Sequence, residues 1–365
     1  MVADRDAFFM RKALLLAERG RATTSPNPMV GALVVTDEGV IVGRGAHEFA
    51  GGPHAEVHAL AHAGAAAAGA TLYCTLEPCS HTGRTGPCAP LVAGAGIRRV
   101  VVATEDPNPE VAGRGLGLLR QRGVDVHTGV LEGEAERLNA PFFTAMRQHR
   151  PFVTLKVALS QDGKVAARAG ERTALTGAAA NRQVHRDRAE VDAIAIGSGT
   201  LLCDDPLLTP RGAFRSRPLA RVIFDRRLRT PPGARIFGTL DRGPVIIVGS
   251  PSPPGAAERA QALAAAGASV ELLPEQDHVG EALRRLVARG VRSLILEGGP
   301  TLHGAFWNAG VVDRVQMYVS PQVFGDCGVT WGDTPGLANV TVLSHRSVRL
   351  LGDDVLIEGY VHRPH

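Results

Sequence analysis

Three residues constrain this chain more than any others: His54, Cys79 and Cys88, in the segments His54-Ala55-Glu56, Pro78-Cys79 and Gly86-Pro87-Cys88. One imidazole and two thiolates are three zinc ligands, so the fold has to bring them to one point. Three protein ligands leave the fourth tetrahedral position open, and an open position serves catalysis rather than scaffolding. The surrounding pattern fits convergence. Thr71-Leu72-Tyr73-Cys74-Thr75 reads as a strand ending in a turn at Glu77-Pro78. His54 follows Pro53 and opens a helical stretch over 55–63, and Cys88 opens the apolar run 89–95, a second helix. Two helix N-termini then point to one place, and a thiol at a helix N-terminus ionises readily.

Glu56, two residues after the histidine, is the expected proton shuttle. This arrangement is the known signature of zinc nucleobase deaminases. The chain departs from it in spacing: eight residues separate Cys79 from Cys88, where the short form has two. Zinc in such a site brings water to hydroxide near neutral pH. The hydroxide attacks a ring carbon bearing an exocyclic amine, and Glu56 moves the water's proton to the departing nitrogen. The bland alternative is three ligand types buried by chance, since Cys is among the most buried residues.

The 365 residues suffice for two domains with cores of their own. No apolar run is long enough to span a membrane. The start, Met1-Val2-Ala3-Asp4-Arg5-Asp6, is too acidic and polar for a signal peptide. Cys74, Cys203 and Cys327 read as reduced thiols of a cytoplasmic protein. The net charge of +4 is uneven: residues 1–149 hold 14 Lys and Arg against 15 Asp and Glu, and residues 150–365 hold 26 against 21. A slightly acidic first half argues against a nucleic-acid substrate there. Only three lysines occur, Lys12, Lys156 and Lys164.

In the first half, Asp4 is expected to cap a helix to Arg19 with Gly20 as its stop. Strands follow over 30–35 and 40–43 around Asp37-Glu38-Gly39, then the His54 helix, the Thr71 strand, the Cys88 helix, a strand over 99–103, a further helix, and a strand reaching Val126. A single helix over 132–148 closes the domain. Alternating strands and helices imply a three-layer α/β domain. Arg150-Pro151 marks the boundary, giving domains 1–149 and 150–365. The second shows strands over 152–158, 193–196, 221–224, 245–248, 293–296 and 314–319, with helices over 178–189, 256–266 and 279–289, again α/β. Glu297-Gly298-Gly299-Pro300-Thr301 joins a strand to a helix, with Thr301 placed to cap it. Such a turn can cradle a phosphate, but it is not the G-x-G-x-x-G fingerprint of an ordinary Rossmann domain.

Beyond the zinc segment, several motifs stand in order: Ser25-Pro26-Asn27-Pro28, Asp106-Pro107-Asn108-Pro109, Lys156, Asp162-Gly163-Lys164, Thr200-Leu201-Leu202-Cys203-Asp204-Asp205-Pro206 and Glu297-Gly298-Gly299-Pro300-Thr301-Leu302. Together they resemble the bifunctional riboflavin-biosynthesis family, a diaminohydroxyphosphoribosylaminopyrimidine deaminase fused to a 5-amino-6-(5-phosphoribosylamino)uracil reductase. The resemblance covers nearly the whole chain. It implies a cytidine-deaminase-like first domain and a dihydrofolate-reductase-like second, with zinc and NADPH as cofactors.

The resemblance assigns zinc to His54, Cys79 and Cys88, proton transfer to Glu56, and the pyrimidine pocket to Asn27, His47, His81, Asp106 and Asn108. Matched cofactor positions are Ala158, Ala174, Thr200, Asp204, Arg226, Gly299, Pro300, Thr301, Leu302, His303, Gly304 and Ala305. Matched substrate positions are Lys156, Arg172, Arg188, Leu208, Arg211 and Glu297. Guanidinium forks at Arg188 and Arg211 suit a phosphate. In a chain that uses Arg almost everywhere, Lys156 is the expected second catalytic residue, its compact ammonium directed at the ribosyl oxygen. Arg172 and Ala174 depart from the family, which usually has serine and tryptophan there. The expected partner is a small phosphoribosylaminopyrimidine, with no nucleic acid or membrane, in a homo-oligomer. One rival is a zinc nucleoside or nucleic-acid deaminase with an inactive or unrelated C-terminal domain. The other is a zinc-stabilised binding module closed by Cys74.

Overall fold

The computed structural model describes residues 2–80, 86–109, 111–274, 276–331 and 343–361. The chain forms two compact units that meet in sequence at His149 and Arg150. In the first, the elements in order are α1 (Val2–Ala17), β1 (Gly31–Val35), β2 (Ile41–Ala46), α2 (Ala55–Ala63), β3 (Thr71–Cys74), α3 (Cys88–Gly94), β4 (Arg99–Val102), α4 (Arg114–Gln121), β5 (Asp125–Thr128), α5 (Glu132–Leu138) and α6 (Ala140–Gln148). The sheet order is β2-β1-β3-β4-β5; the first three strands are antiparallel neighbours and the last three parallel.

Strand alternation makes two buried faces. Ala32, Val34, Leu72, Cys74, Val100 and Val102 pack with α2, α3 and α4. Leu33, Val35, Tyr73 and Val101 pack with α1 and α5. The helix that carries the site sits unusually close to its strand. A Cβ on Gly43 would lie 2.2 Å from the Ala59 carbonyl oxygen, and one on Gly45 2.0 Å from that of Ala55. Glycine at both positions is what lets α2 rest its backbone on β2.

The second unit holds β6 (Phe152–Leu159), β7 (Lys164–Ala166), α7 (Ala178–Glu190), β8 (Ala193–Gly197), α8 (Ser198–Asp204), β9 (Ala220–Phe224), β10 (Val245–Gly249), α9 (Ala256–Ala265), β11 (Ala268–Leu272), α10 (His278–Ala288), β12 (Ser293–Gly298), α11 (Pro300–Asn308), β13 (Arg314–Val319), β14 (Val329–Thr330), β15 (Ser344–Leu351) and β16 (Asp354–Tyr360). Its nine-stranded sheet runs β11-β10-β9-β8-β12-β6-β13-β16-β15, parallel except for the closing hairpin, and β7 pairs with β14 apart from it. Ala195, Val222 and Val248 meet α10 and α11 on one face. Ile194, Ile196, Ile223 and Ile247 meet α8 and α9 on the other, where α7 also packs against Tyr318 and Leu356. Both units are therefore three-layer α/β, the fold class read from the sequence.

Several local expectations fail for physical reasons. Asp4 lies inside the first turn of α1 rather than capping it. Gly20 ends a 3-10 turn without positive φ; its role is space, since a Cβ would sit 2.6 Å from the His47 carbonyl oxygen. The single helix over 132–148 is two helices broken at Asn139. That side chain grips the Met29 backbone from both sides, accepting from its N–H and donating to its carbonyl, each at 2.8 Å. Thr301 is exposed inside the first turn of α11, and Gly299 is the N-cap without a side-chain hydrogen bond.

Candidate active site

His54 is the N-cap of α2, in extended conformation and with no side-chain cap bond. Cys88 is the first residue of α3, behind Pro87. The Cys79 loop is tied to that helix start, because the Ala89 N–H donates to the Cys79 carbonyl at 2.9 Å and the Cys88 N–H to Cys79 Sγ at 3.4 Å. The His54 Nδ1 atom then lies 3.5 Å from Cys79 Sγ and 3.3 Å from Cys88 Sγ. A tetrahedral zinc with bonds of about 2.3 Å to sulfur and about 2.1 Å to nitrogen sets S···N near about 3.6 Å. The donor set and its spacing fit zinc. Among the described residues this is the only such group of His, Cys, Asp and Glu, and Cys74 is not part of it.

Cys79 and Cys88 share one proton, as a thiolate beside a thiol. Hydrogen bonds from the Cys88 thiol, His54 and the Cys88 N–H outweigh burial and lower Cys79. Cys88, holding the proton against an anionic neighbour and buried, is pushed up. The amide at the start of α3 acts on the partner cysteine.

Glu56 is 3% exposed, and burial raises its carboxyl to about 7, against the pull of His54. A group balanced near neutrality can both take and return a proton. His47 stands edge-on to His54, ring centroids 5.4 Å apart. Its Nδ1 lies 3.0 Å from the Pro53 carbonyl, which can only accept, so Nδ1 carries the proton. Nε2 then accepts from the Asn27 amide at 3.3 Å. Burial lowers the His47 pKa and keeps the ring neutral. Asp106 accepts from the Asn108 N–H at 2.8 Å, an Asx turn beside the Cys79 loop. His81 lies outside the described residues.

Sequence reasoning missed Glu77, which it used only as a turn. The carboxylate is buried and accepts from the N–H groups of Asp106, Gly113, Gly115 and Leu116 at 2.9–3.3 Å. It joins the start of α4 to the loop bearing Cys79, and a Cβ on Gly115 would lie 1.9 Å from the Pro78 carbonyl oxygen. A carboxylate immediately before Pro78-Cys79 was the available signal.

In the second unit, a cleft of about 940 Å³ gathers residues far apart in sequence. Lys156, Ala158, Arg172, Ala174, Arg188, Thr200, Asp204, Leu208, Arg226, Glu297 and Gly299 to His303 line it, with Ala305. Gly304 and Arg211 are outside the lining; Arg211 is exposed, its backbone N–H donating to His185 at 3.2 Å. Glu297 sits at a register shift between β12 and β8, a bulge of the kind that re-aims a side chain. It takes Arg188 bidentately, Nε and Nη2 each at 2.6 Å. The fork assigned to phosphate is thus already engaged. Burial alone would raise the Glu297 carboxyl, but Arg188 and Lys156 hold it down at about 2. Above it, a Cβ on Gly299 would meet Thr200 Oγ1 at 3.4 Å and one on Gly298 the His303 ring at 3.1 Å, so the backbone presents a bare cradle at the start of α11. Arg227 and Arg229 line the same cleft beside Arg226, and Arg229 is steadied by Ser198 at 2.9 Å. The run Arg226-Arg227-Leu228-Arg229 after a strand was the missed signal. Cradle and arginines fit a dinucleotide phosphate.

Residues 151–357 match the RibD C-terminal domain family, and residues 3–104 match the Cytidine and deoxycytidylate deaminase zinc-binding region. The chain is 39% identical over 360 residues to the riboflavin biosynthesis protein RibD of Aquifex aeolicus, covering 98% of this chain and 99% of that one. The chain belongs to the RibD family. To the RibD of Escherichia coli it is 40% identical over 362 residues, 97% and 98% of the two chains. The solved structure of Acinetobacter baumannii RibD superposes with a TM-score of 0.87 at 36% identity, covering 98% of this chain and 99% of that one. A Thermotoga maritima diaminohydroxyphosphoribosylaminopyrimidine deaminase/5-amino-6-(5-phosphoribosylamino)uracil reductase gives 0.82 at 34% identity, covering 99% of each. Full-length matches to a bifunctional family leave no place for an unrelated second domain or for a non-enzymatic zinc module.

Proposed function

We propose that residues 1–149 deaminate 2,5-diamino-6-(5-phosphoribosylamino)pyrimidin-4-one with zinc, and that residues 150–365 then reduce its ribosyl chain to ribityl with NADPH, giving 5-amino-6-(5-phosphoribitylamino)uracil. Membership of the RibD family makes the chain an enzyme of riboflavin biosynthesis with both activities. The observation that carries the assignment is the convergence of His54, Cys79 and Cys88 beside a buried Glu56.

His54, Cys79 and Cys88 hold zinc, which when bound supplies the Lewis acidity that makes water a nucleophile near neutral pH. Glu56 takes the proton of the attacking water and delivers it to the departing amine, so ammonia leaves and oxygen replaces nitrogen. Neutral His47 fixes the Asn27 amide by accepting one of its hydrogens, and the Asn27 oxygen remains an acceptor available to the pyrimidine. His81, Asp106 and Asn108 complete the pocket in this reading.

In the cleft, Thr200, Asp204, Arg226 and the Gly299–Ala305 turn hold NADPH, whose chemistry is hydride donation. Arg172, Leu208 and the Arg188–Glu297 pair shape the substrate side, and Arg211, exposed outside the cleft lining, keeps only the substrate role that its family match implies. Lys156 gives a proton to the ribosyl ring oxygen as the C1′–O bond breaks, and bound NADPH would supply the hydride that C1′ requires. A small substrate rather than a nucleic acid is supported by the acidic balance of the first half. No helix among the described residues is long and apolar enough to cross a membrane. A cytoplasmic homo-oligomer belongs to the same reading.

Ammonia release and NADPH oxidation, followed together on the diamino substrate, test the proposal. Stoichiometric appearance of both supports it, and NADPH oxidation without ammonia contradicts it.

A further inference from the structure

Lys156 is held in an unusual way. It sits on β6 in register with Gln316, and Tyr318 is in register with Ala158. Lys156 and Tyr318 are therefore diagonal neighbours on one face of the sheet, within reach of long side chains. The Lys156 ammonium lies over the Tyr318 ring, 5.5 Å from its centroid. Among the described residues that ammonium makes no hydrogen bond and no ion pair, and it lines the cleft.

Tyr318 is fully buried, and its hydroxyl donates to Asp187 Oδ2 at 2.8 Å. Gln183 in turn donates to Asp187 Oδ1 at 2.8 Å. The ring cannot rotate away while that chain of contacts stands. A phenol that donates to a carboxylate also carries more electron density on its ring face, which strengthens its hold on a cation.

We propose that Tyr318 is a positioning residue for reduction: its ring face supports the Lys156 ammonium without a hydrogen-bond acceptor and leaves the N–H donors on its cleft side for the substrate. A carboxylate in that place would hold the ammonium more strongly but would take a donor and lock its direction. The inference rests on the reading of Lys156 as the proton donor. The charged and titratable groups facing Lys156 are Glu297 on β12, Arg188 and Asp187 on α7, and His303 on α11. Arg188 and Glu297 neutralise each other, and His303, its pKa lowered to about 4 by burial, is uncharged. Burial lowers the Lys156 pKa, with Glu297 opposing it. Support from the ring favours the charged form, so weakening the ring lowers that pKa further.

The test is the pH profile of kcat for NADPH oxidation by the full chain on the deaminated substrate. Tyr318 is compared with Tyr318→Phe and with mono- and trifluorinated phenylalanine at position 318. These rings have nearly the same shape and progressively less negative faces, so packing is kept. The alkaline limb is expected to move stepwise to lower pH, by about one unit across the series, with the KM for NADPH unchanged. A limb that stays in place across the series overturns the inference, because a merely structural tyrosine would not move it in order of ring charge. Lys156→Met separates the underlying reading. If that variant reduces at the parent rate, Lys156 is not the proton donor; if it is inactive while the limb stays fixed across the series, only the role of Tyr318 is wrong.

Discussion

The zinc site and the reductase cleft solve opposite electrostatic problems. The first is compact: its ligands fall between His54 and Cys88, on two helix starts and one loop, and its working carboxyl, Glu56, is poised near neutrality by burial without a salt bridge. The second draws on side chains from Lys156 to Ala305, and its buried carboxylate, Glu297, is clamped ionised by Arg188. The zinc site passes protons through a carboxyl whose two states are close in energy. The cleft holds its carboxylate fixed, leaves its proton to Lys156 and takes its hydride from a cofactor that its residues position.

The sharpest break between the sites is Glu56→Gln. Deamination should fall by about 10²–10⁴-fold, while zinc content and NADPH oxidation on the deaminated substrate stay at parent values. Metal analysis beside both rate assays checks it, and loss of zinc would make Glu56 a ligand.

The corresponding change in the cleft is Arg188→Ala. It leaves Glu297 charged, buried and unpaired, at a cost of roughly 3–5 kcal/mol. Thermal unfolding of the second unit should drop steeply while zinc binding and deamination persist. Arg188→Ala would act mainly through that orphaned carboxylate, so Arg188→Ala with Glu297→Gln should recover much of the stability. A loss confined to substrate KM with stability intact would return Arg188 to the phosphate role read from its sequence.

Glu77→Ala tests whether the zinc site depends on its supporting loop. Zinc retention against a chelator should weaken by about 10–100-fold, with reduction untouched. Smaller again is cofactor choice. Alanine at Arg226, Arg227 or Arg229 should each lower the preference for NADPH over NADH by roughly tenfold, read as the ratio of specificity constants.

A further contrast is in pH. Glu297 is depressed from 4.5 to about 2. The stability it contributes is fully present above about 4.5 and is lost as pH falls from there through about 2. Acid titration of the Glu297→Gln variant should lack that component.

Legibility differed between the two regions for the same reasons. The zinc ligands were readable because each residue type is rare and chemically dedicated, and because the strand and helix starts around them follow plain apolar runs. The central strands of both sheets are continuous apolar segments and were placed within a residue or two. Sequence reasoning also missed β11 and β16, although β16 carries the apolar run Val355-Leu356-Ile357; the other elements it did not find lack that signal. β15 is mostly exposed and polar, β7 and β14 are two or three residues long, and α8 is a short glycine-containing turn. The break at Asn139 depends on Met29, far away in the chain. The pairing of Arg188 with Glu297 depends on a strand bulge and a helix packed over it, and no local pattern encodes either. The cleft residues were recovered through family resemblance, which supplied positions but not partners.

The central claim is that two separate sites act in sequence. Its most direct test gives the Glu56→Gln chain either the diamino substrate or the already deaminated compound and follows NADPH oxidation. The account predicts almost no oxidation with the first and the parent rate with the second. Oxidation at the parent rate with the diamino substrate would show that reduction does not wait for the zinc site, and would contradict it.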